Sequence, residues 1–104
     1  MCLRDGYMRC KKKVNERDRI INLIRTMART YGVPEDEAIR LATCESNLNP
    51  RAKNPISSAK GIYQFLDGTW EWIGAEGHQF DYVENIRMFM IYYQRYPTWW
   101  SECL

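Results

Sequence analysis

Apolar residues recur at helical intervals in three segments of the chain, and the first segment begins near Val14. Its apolar stripe consists of Ile20, Leu23, Ile24, Met27 and Tyr31. Positions three and four residues apart lie on one face of an α-helix, so the stripe predicts an amphipathic helix packed on a core. Asn15 or Asp18 can cap its start, and Gly32 suits the left-handed residue that ends a helix.

A second helix is predicted to begin at Pro34, because proline suits the first helical position. Acidic residues suit the positive end of the helix dipole, and three follow Pro34: Glu35, Asp36 and Glu37. One face of this helix carries Ala38, Leu41 and Ala42, and Glu45 continues that face at its end. A glutamate at a helix end is usually solvated, but this spacing predicts that Glu45 points toward the core.

The last helical pattern spans about residues 82–96 and has the apolar stripe Ile86, Met90 and Tyr93. Asp81 and Glu84 have the spacing of a capping box, and Pro97 ends the pattern.

Between the second and last helices, Pro50 and Pro55 predict a loop over residues 47–58. Two short helices are predicted after this loop. The first spans residues 59–66 and could be capped by Ser57 or Ser58. The second spans residues 70–72 and could be capped by the turn Asp67-Gly68-Thr69. No alternating pattern is longer than a few residues. The chain is therefore predicted to be a mainly α single domain with little or no β-sheet.

Length and composition agree with one small domain, since the chain has 104 residues of which 45% are apolar. The net charge is +2, and the basic residues are concentrated near the start. We expect residues 1–13 to be a basic, disordered leader and residues 14–104 to be the folded domain. The basic residues are too few, and match no nucleic-acid motif, for DNA or RNA to be an expected partner. No apolar run is long enough for a signal peptide or a membrane span.

The cysteines form an even set, which favours disulfides and an oxidising compartment. They are Cys2, Cys10, Cys44 and Cys103, and the count alone allows three pairings. None has zinc-site spacing, and His78 is the only histidine, so the sequence predicts no metal and no cofactor.

Glu45 is the residue whose setting suggests chemistry. A carboxyl held against apolar walls has its charged form disfavoured, so its pKa rises and it can donate a proton near neutral pH. Cleavage of a glycosidic bond needs such a donor at the leaving oxygen. The aromatic residues that follow could form the wall: Tyr63, Phe65, Trp70 and Trp72. Amides that suit sugar recognition are also near in sequence: Asn47, Asn49 and Gln64.

The run "CESNLNPRAKNPISSAKGIYQFLDGTW" resembles the catalytic core of the lysozyme-like superfamily. It is similar to the soluble lytic transglycosylase domain at Glu45-Ser46, Asn49-Pro50, Ala52 and the block from Gly61 to Gln64. Further along the chain, Asn85-Ile86 resembles an Asn-Ile pair in that domain's last helix. The chain is also similar to the resuscitation-promoting-factor domain at Cys44-Glu45-Ser46, Gln64-Phe65, Thr69-Trp70 and the terminal Trp99-Trp100-Ser101-Glu102-Cys103. The late Ala-Tyr-Asn-x-Gly segment of transglycosylases is missing, although Tyr92 or Tyr93 could supply a similar hydroxyl.

The resemblance implies a lysozyme-like fold and a monomer that cleaves peptidoglycan outside the cytoplasm, in a bacterial or phage system. Glu45 then acts as the single catalytic acid at the β-1,4 bond between N-acetylmuramic acid and N-acetylglucosamine, leaving 1,6-anhydro ends. Implied substrate-binding residues are Ser46, Tyr63, Gln64, Thr69 and Trp70, although Ser46 also suits a role in supporting the helix end. The implied disulfide joins Cys44 and Cys103.

Two alternatives to the transglycosylase interpretation stay open. A hydrolytic muramidase needs a second carboxylate, for which Asp67, Asp81 and Glu71 are candidates by position. Helix capping is the simpler explanation for Asp67 and Asp81. The other alternative is a non-catalytic module of the same fold that binds a glycan or a protein. The retention of Glu45 argues against it, because a binder has no need of a poorly solvated acid.

Overall fold

A computed structural model describes residues 14–104, which form four α-helices and a C-terminal 3-10 helix. The helices are α1 (Glu16–Tyr31), α2 (Glu35–Ser46), α3 (Asp67–Trp72) and α4 (Tyr82–Tyr93), and the 3-10 helix spans Pro97–Cys103. Within the described residues, extended pairing is limited to isolated bridges and no sheet forms. The predicted mainly α fold is confirmed. The leader of residues 1–13, with Cys2 and Cys10, lies outside the described residues.

The core lies where α1 packs against both α2 and α4. Fully buried side chains come from each of these helices: Ile20, Ile24 and Ala28 from α1, Ala38, Leu41 and Ala42 from α2, and Ile86, Phe89 and Met90 from α4. These residues are the predicted stripes or their direct neighbours, so the periodicity identified the core correctly. Phe89 also stacks on Tyr63, with ring centroids 3.7 Å apart, which joins the segment before α3 to the core.

The ends of α1 and α2 have local explanations. The Asn15 side chain accepts from the backbone N–H of Asp18, and Gly32 ends α1 at φ 80°, as predicted. Asn47 ends α2 in the same left-handed region, at φ 54°. Asparagine tolerates this region better than most residues. The chain therefore leaves α2 immediately after Ser46.

The segment 59–66 is not the predicted helix. It forms a tight turn in which the backbones of Lys60 and Phe65 exchange two hydrogen bonds of 3.1 Å. Gly61 at φ 87° and Gln64 at φ 55° are incompatible with a right-handed helix. The physical reason lies in α4, where the Asn85 carboxamide accepts from the backbone N–H of Tyr63 at 2.9 Å and takes the donor that a helix needs.

Helix α3 begins earlier than predicted, at Asp67. The Ser58 hydroxyl accepts from the backbone N–H of Asp67 at 3.0 Å, so Ser58 satisfies the start of α3 rather than that of a helix at residue 59. At α4, Asp81 caps the start as predicted, accepting from Val83 N–H. Glu84 does not complete the capping box, because it accepts from Glu76 N–H and pairs with Arg87.

The C-terminal 3-10 helix is fastened to α2 and to the turn of residues 60–65. A disulfide joins Cys44 to Cys103, as predicted, and Arg40 donates to the Cys103 carbonyl at 2.7 Å. The indole N–H of the buried Trp100 donates to the Tyr63 carbonyl at 2.8 Å. The cysteines are 59 residues apart in sequence, a separation for which loop closure contributes about 4 kcal/mol to the free energy of unfolding.

Gly61→Ala and Gly32→Ala form a matched pair, because both glycines have positive φ. At Gly32 an added Cβ meets nothing within 4 Å, so we expect the free energy of unfolding to fall by about 1–2 kcal/mol, from backbone strain alone. At Gly61 it meets the Asn85 carboxamide and the Gln79 carbonyl, so the loss should be about 3 kcal/mol or more. Urea unfolding of both variants measures the difference, and equal losses would contradict the close packing at Gly61.

Candidate active site

Glu45 lies in the last turn of α2, half-buried at the boundary between core and solvent. Within residues 14–104 no side chain or backbone N–H donates a hydrogen bond to its carboxyl group and no cation pairs with it. Burial raises the pKa of Glu45 to about 7, and the negative charge of Glu102 adds to the increase. A carboxyl group with this pKa is partly protonated near neutral pH and can donate a proton there.

Both neighbours of Glu45 are attached to other parts of the chain. Cys44 is bonded to Cys103, and the Ser46 hydroxyl donates to the Ile62 carbonyl at 2.8 Å. The first attachment brings the C-terminal 3-10 helix to Glu45, and the second brings the turn of residues 60–65. These two segments therefore hold the end of α2 from both sides.

The same two segments, together with the start of α3, form the walls of a cavity of about 340 Å³. Its lining residues are Gln64, Phe65, Leu66, Thr69, Trp99 and Trp100. Phe65 and Trp100 meet edge to face at 5.6 Å and form an apolar floor. Glu45 is not among the lining residues, but the residues on either side of it are fastened to both walls.

Two of the predicted substrate-binding residues, Gln64 and Thr69, line this cavity. Gln64 is held in the left-handed region at φ 55°, and its amide donates to the Gly61 carbonyl at 2.9 Å. That bond leaves the amide oxygen of Gln64 free to accept from a ligand. The prediction placed both residues near the acid. The turn that Asn85 stabilises presents Gln64 to the cavity, and α3 presents Thr69.

The other three predicted substrate-binding residues have structural positions instead. Tyr63 is completely buried and donates to the Ala38 carbonyl at 2.8 Å, so its side chain has no surface for a sugar. Burial also raises the pKa of Tyr63 well above its usual value. Trp70 is buried behind Phe65, with its indole N–H donating to the Gly77 carbonyl. Ser46 supports the end of α2, as described above. The sequence pattern identified the segment but not which of its side chains face outward.

The acids proposed from sequence as second carboxylates are engaged elsewhere. Asp67 is not a cap but pairs with Lys60 at 2.7 Å and accepts from Gln79, and the hydrogen bond from Lys60 is the main cause of its lowered pKa. Asp81 caps α4, as expected. Glu71 is exposed on α3.

The tyrosines proposed to supply a hydroxyl near the acid make other contacts. The Tyr93 hydroxyl donates to Glu37, and the Tyr92 ring stacks on Trp99.

Sequence reasoning gave no site role to Glu102 or Asn85. The implied disulfide was expected to hold Trp99 or Trp100 near the acid, and both tryptophans line the cavity. Glu102 is far from Glu45 in sequence, and the signal that could have identified it is its position next to Cys103, the partner of Cys44. Within residues 14–104 no group of His, Cys, Asp or Glu is arranged to hold a metal ion. The described helices are also all too short or too polar to cross a bilayer.

Glu45→Gln should change how stability depends on pH. In the wild type, the Glu45 pKa rises from the ordinary 4.5 to about 7 on folding, so stability falls as the pH increases through that window and then levels off. Glutamine has no charge, so the variant should gain relative stability over the same window. We expect the free energy of unfolding of the variant to exceed that of the wild type by ~1–2 kcal/mol at pH 8. This gain is smaller than the full pKa shift implies, because the side chain is partly solvated.

Urea unfolding at several pH values measures this gain, and Glu35→Gln is the control. The pKa of Glu35 is lowered mainly by the hydrogen bond from Arg29, so its loss should destabilise the protein above the ordinary glutamate pKa. A pH-independent difference between wild type and Glu45→Gln would contradict burial of the Glu45 carboxyl group.

A comparison with protein families places the site in a known context. The model of the transglycosylase SLT domain matches residues 22–95, which include Glu45, Gly61, Gln64 and Asn85. Comparisons with curated proteins and with solved structures give no match. The matched range ends before Trp99, Trp100, Glu102 and Cys103, so the segment that forms one cavity wall lies outside it. The match spans most of the chain, and the protein therefore belongs to the transglycosylase SLT domain family, a lysozyme-like family whose function is to cleave peptidoglycan.

Proposed function

We propose that residues 14–104 form a lytic transglycosylase domain that cleaves the β-1,4 bond between N-acetylmuramic acid and N-acetylglucosamine. Glu45 is the single catalytic residue, and the products carry 1,6-anhydro ends. The observation that supports this role is the partly buried carboxyl group of Glu45, which has no described hydrogen-bond donor and has its pKa raised to about 7. Gln64 and Thr69 are the proposed polar contacts to the glycan.

The reaction needs one carboxyl group in two successive roles. Protonated Glu45 first donates its proton to the glycosidic oxygen, and the bond from that oxygen to C1 of the muramic acid breaks. The Glu45 carboxylate then removes the proton of the 6-hydroxyl on the same sugar, and that oxygen bonds to C1. The acid is restored, the 1,6-anhydro ring closes, and no water is consumed.

Partial burial suits both roles of Glu45. Burial keeps the acid protonated near neutral pH, and the remaining exposure lets the substrate reach it. A fully solvated glutamate would be almost entirely ionised at pH 7 and could not donate. The disulfide between Cys44 and Cys103 agrees with an oxidising compartment. We therefore propose that the protein acts in the extracellular or periplasmic space, at the cell wall. We also propose that it acts as a monomer.

A hydrolytic muramidase is the second candidate, and Glu102 is the observation that favours it. Glu102 lies close enough to Glu45 to raise its pKa, and it is exposed to solvent. A second carboxylate facing the acid could activate a water molecule, and the product would then have a reducing end. The products distinguish the two candidates.

The first experiment incubates the protein and its Glu45→Gln variant with purified peptidoglycan and identifies the released sugars by mass spectrometry. We expect 1,6-anhydro ends from the wild type and a loss of about 10²–10⁴-fold in rate for the variant, since proton transfer by a positioned acid contributes that much. Reducing ends that depend on Glu45 would establish the muramidase. No release by either protein, from several wall types, would leave a binding module.

Glu102→Gln should shift the pH dependence of cleavage. Glu45 must be protonated to donate, so kcat/KM is expected to fall as the pH rises through about 7. Removing the neighbouring negative charge lowers the Glu45 pKa, so this decline should move to lower pH and reduce activity at pH 7 and above. Asp36→Asn is the matched control, because it removes an acid that is fully exposed at the other end of α2.

A decline at the same pH in Glu102→Gln and wild type would contradict the proposed influence of Glu102 on Glu45. Loss of reducing ends at every pH would instead identify Glu102 as the base of a hydrolase.

A further inference from the structure

Two exposed tryptophans and two half-buried tyrosines form a cluster beside the cavity, which we call the aromatic platform. Its members are Trp72 from α3, Tyr92 from α4, Tyr96 from the following turn, and Trp99 from the 3-10 helix. Trp72 is 68% exposed and Trp99 is 39% exposed, in contrast to Trp100, which is 3% exposed and belongs to the core. Two exposed tryptophans side by side are unusual on a small domain and indicate a surface used for binding.

The rings of the platform support one another. Trp99 is nearly parallel to Tyr96, with centroids 4.7 Å apart and planes 12° apart, and to Tyr92 at 6.0 Å and 14°. The two tyrosines therefore support one side of the indole of Trp99. Trp72 meets Trp99 edge to face at 6.3 Å. A ring supported in this way loses little conformational freedom when a ligand binds to it.

The platform is continuous with the cavity, because Trp99 belongs to both. Thr69, one turn before Trp72 on α3, also lines the cavity. A polymer that occupies the cavity and leaves it on this side therefore meets Trp72 next. A guanidinium group, that of Arg95, lies 5.9 Å from the centroid of Tyr96 and places a positive charge at the edge of the platform.

We propose that the aromatic platform is an additional glycan subsite, in which an N-acetylhexosamine unit of the strand outside the cavity packs its apolar C–H face against Trp72 and Trp99. Arg95 faces the carboxylates that peptidoglycan strands carry on their lactyl and peptide groups. This inference rests on the proposed function, since it requires a glycan strand in the cavity.

A second copy of the chain is a weaker candidate for the occupant. Two tryptophans and their neighbours offer on the order of 500 Å² in total, whereas a stable protein interface buries about 800 Å² on each partner. A pyranose ring is a better match to the size of the exposed surface. The positive charge of Arg95 also favours an anionic polymer over an identical chain, which carries the same charge.

The test measures binding separately from cleavage. Trp72→Ala is introduced into the Glu45→Gln background, and affinity is measured by calorimetry for peptidoglycan glycan fragments of two, four, six and eight sugars. We expect affinity to be unchanged for the disaccharide and about 3- to 10-fold weaker for the longest fragments, as for the loss of one aromatic contact. Trp72 is mostly exposed, so the variant should keep the thermal stability of its parent, which is measured alongside.

Val83→Ala is the control, because Val83 is 49% exposed on α4 and is not part of the platform. Equal affinity of Trp72→Ala and Val83→Ala for all fragment lengths would overturn the proposal, as would a loss that is the same for the disaccharide and the octasaccharide. Sedimentation of both variants tests whether a second copy of the chain occupies the platform. A dimer that Trp72→Ala dissociates would also overturn the glycan proposal.

Failure of the proposed function has a different signature. If the chain cleaves no glycan but binds long fragments through Trp72, the platform stands and the catalytic role of Glu45 falls. Trp72→Ala is therefore also made with Glu45 intact. If cleavage depends on Glu45 but this variant binds and cleaves long strands as the wild type does, the platform alone is rejected.

Discussion

The disulfide between Cys44 and Cys103 is the constraint on which the candidate site depends. It joins the residue before Glu45 to the C-terminal 3-10 helix, and so brings Glu102 to the acid and Trp99 and Trp100 to the cavity. Apart from this bond, the contacts that hold the C-terminal segment within residues 14–104 include side-chain packing, the Arg40 hydrogen bond from α2 and the Trp100 hydrogen bond to Tyr63. The disulfide bond is covalent, so it limits how far the C-terminal segment can move away from the end of α2.

A buried amide is the second constraint, and it acts on the opposite wall. The Asn85 side chain is completely buried in α4 and bonds to the Tyr63 N–H and the Gln79 carbonyl, each at 2.9 Å. These bonds hold the turn of residues 60–65 in a conformation with two positive φ values, and that conformation turns Gln64 toward the cavity and Tyr63 toward the core. One residue of α4 thus helps to decide which side chains of the turn face the cavity.

The electrostatic state of Glu45 follows from these two constraints together. Ser46 is bonded to one wall and Cys44 to the other, so the carboxyl group between them is partly removed from water. Glu102 is held near it and disfavours its ionisation further. The acid thereby gains a pKa suited to proton donation without a dedicated hydrogen-bond partner among the described residues. This arrangement separates Glu45 from Asp67, whose pKa is lowered because Lys60 and Gln79 bond to it.

The sequence alone determined the mainly α fold, the core faces of α1, α2 and α4, the cap at Asp81, and the identity of the family, because helical periodicity, capping and a short motif are local properties. It limited the cap of α1 to Asn15 or Asp18, and the structure selects Asn15. It also singled out Glu45, through its place on the apolar face of α2, and the resemblance supplied the pairing of Cys44 with Cys103. Only the tertiary structure decided that residues 59–66 form a turn, that Tyr63 and Trp70 are buried, and that Glu102 lies near Glu45. Those outcomes depend on Asn85 and on the folded position of the C-terminal segment. Contacts between residues so distant in sequence produce no periodic or local pattern, so the sequence alone could not predict them.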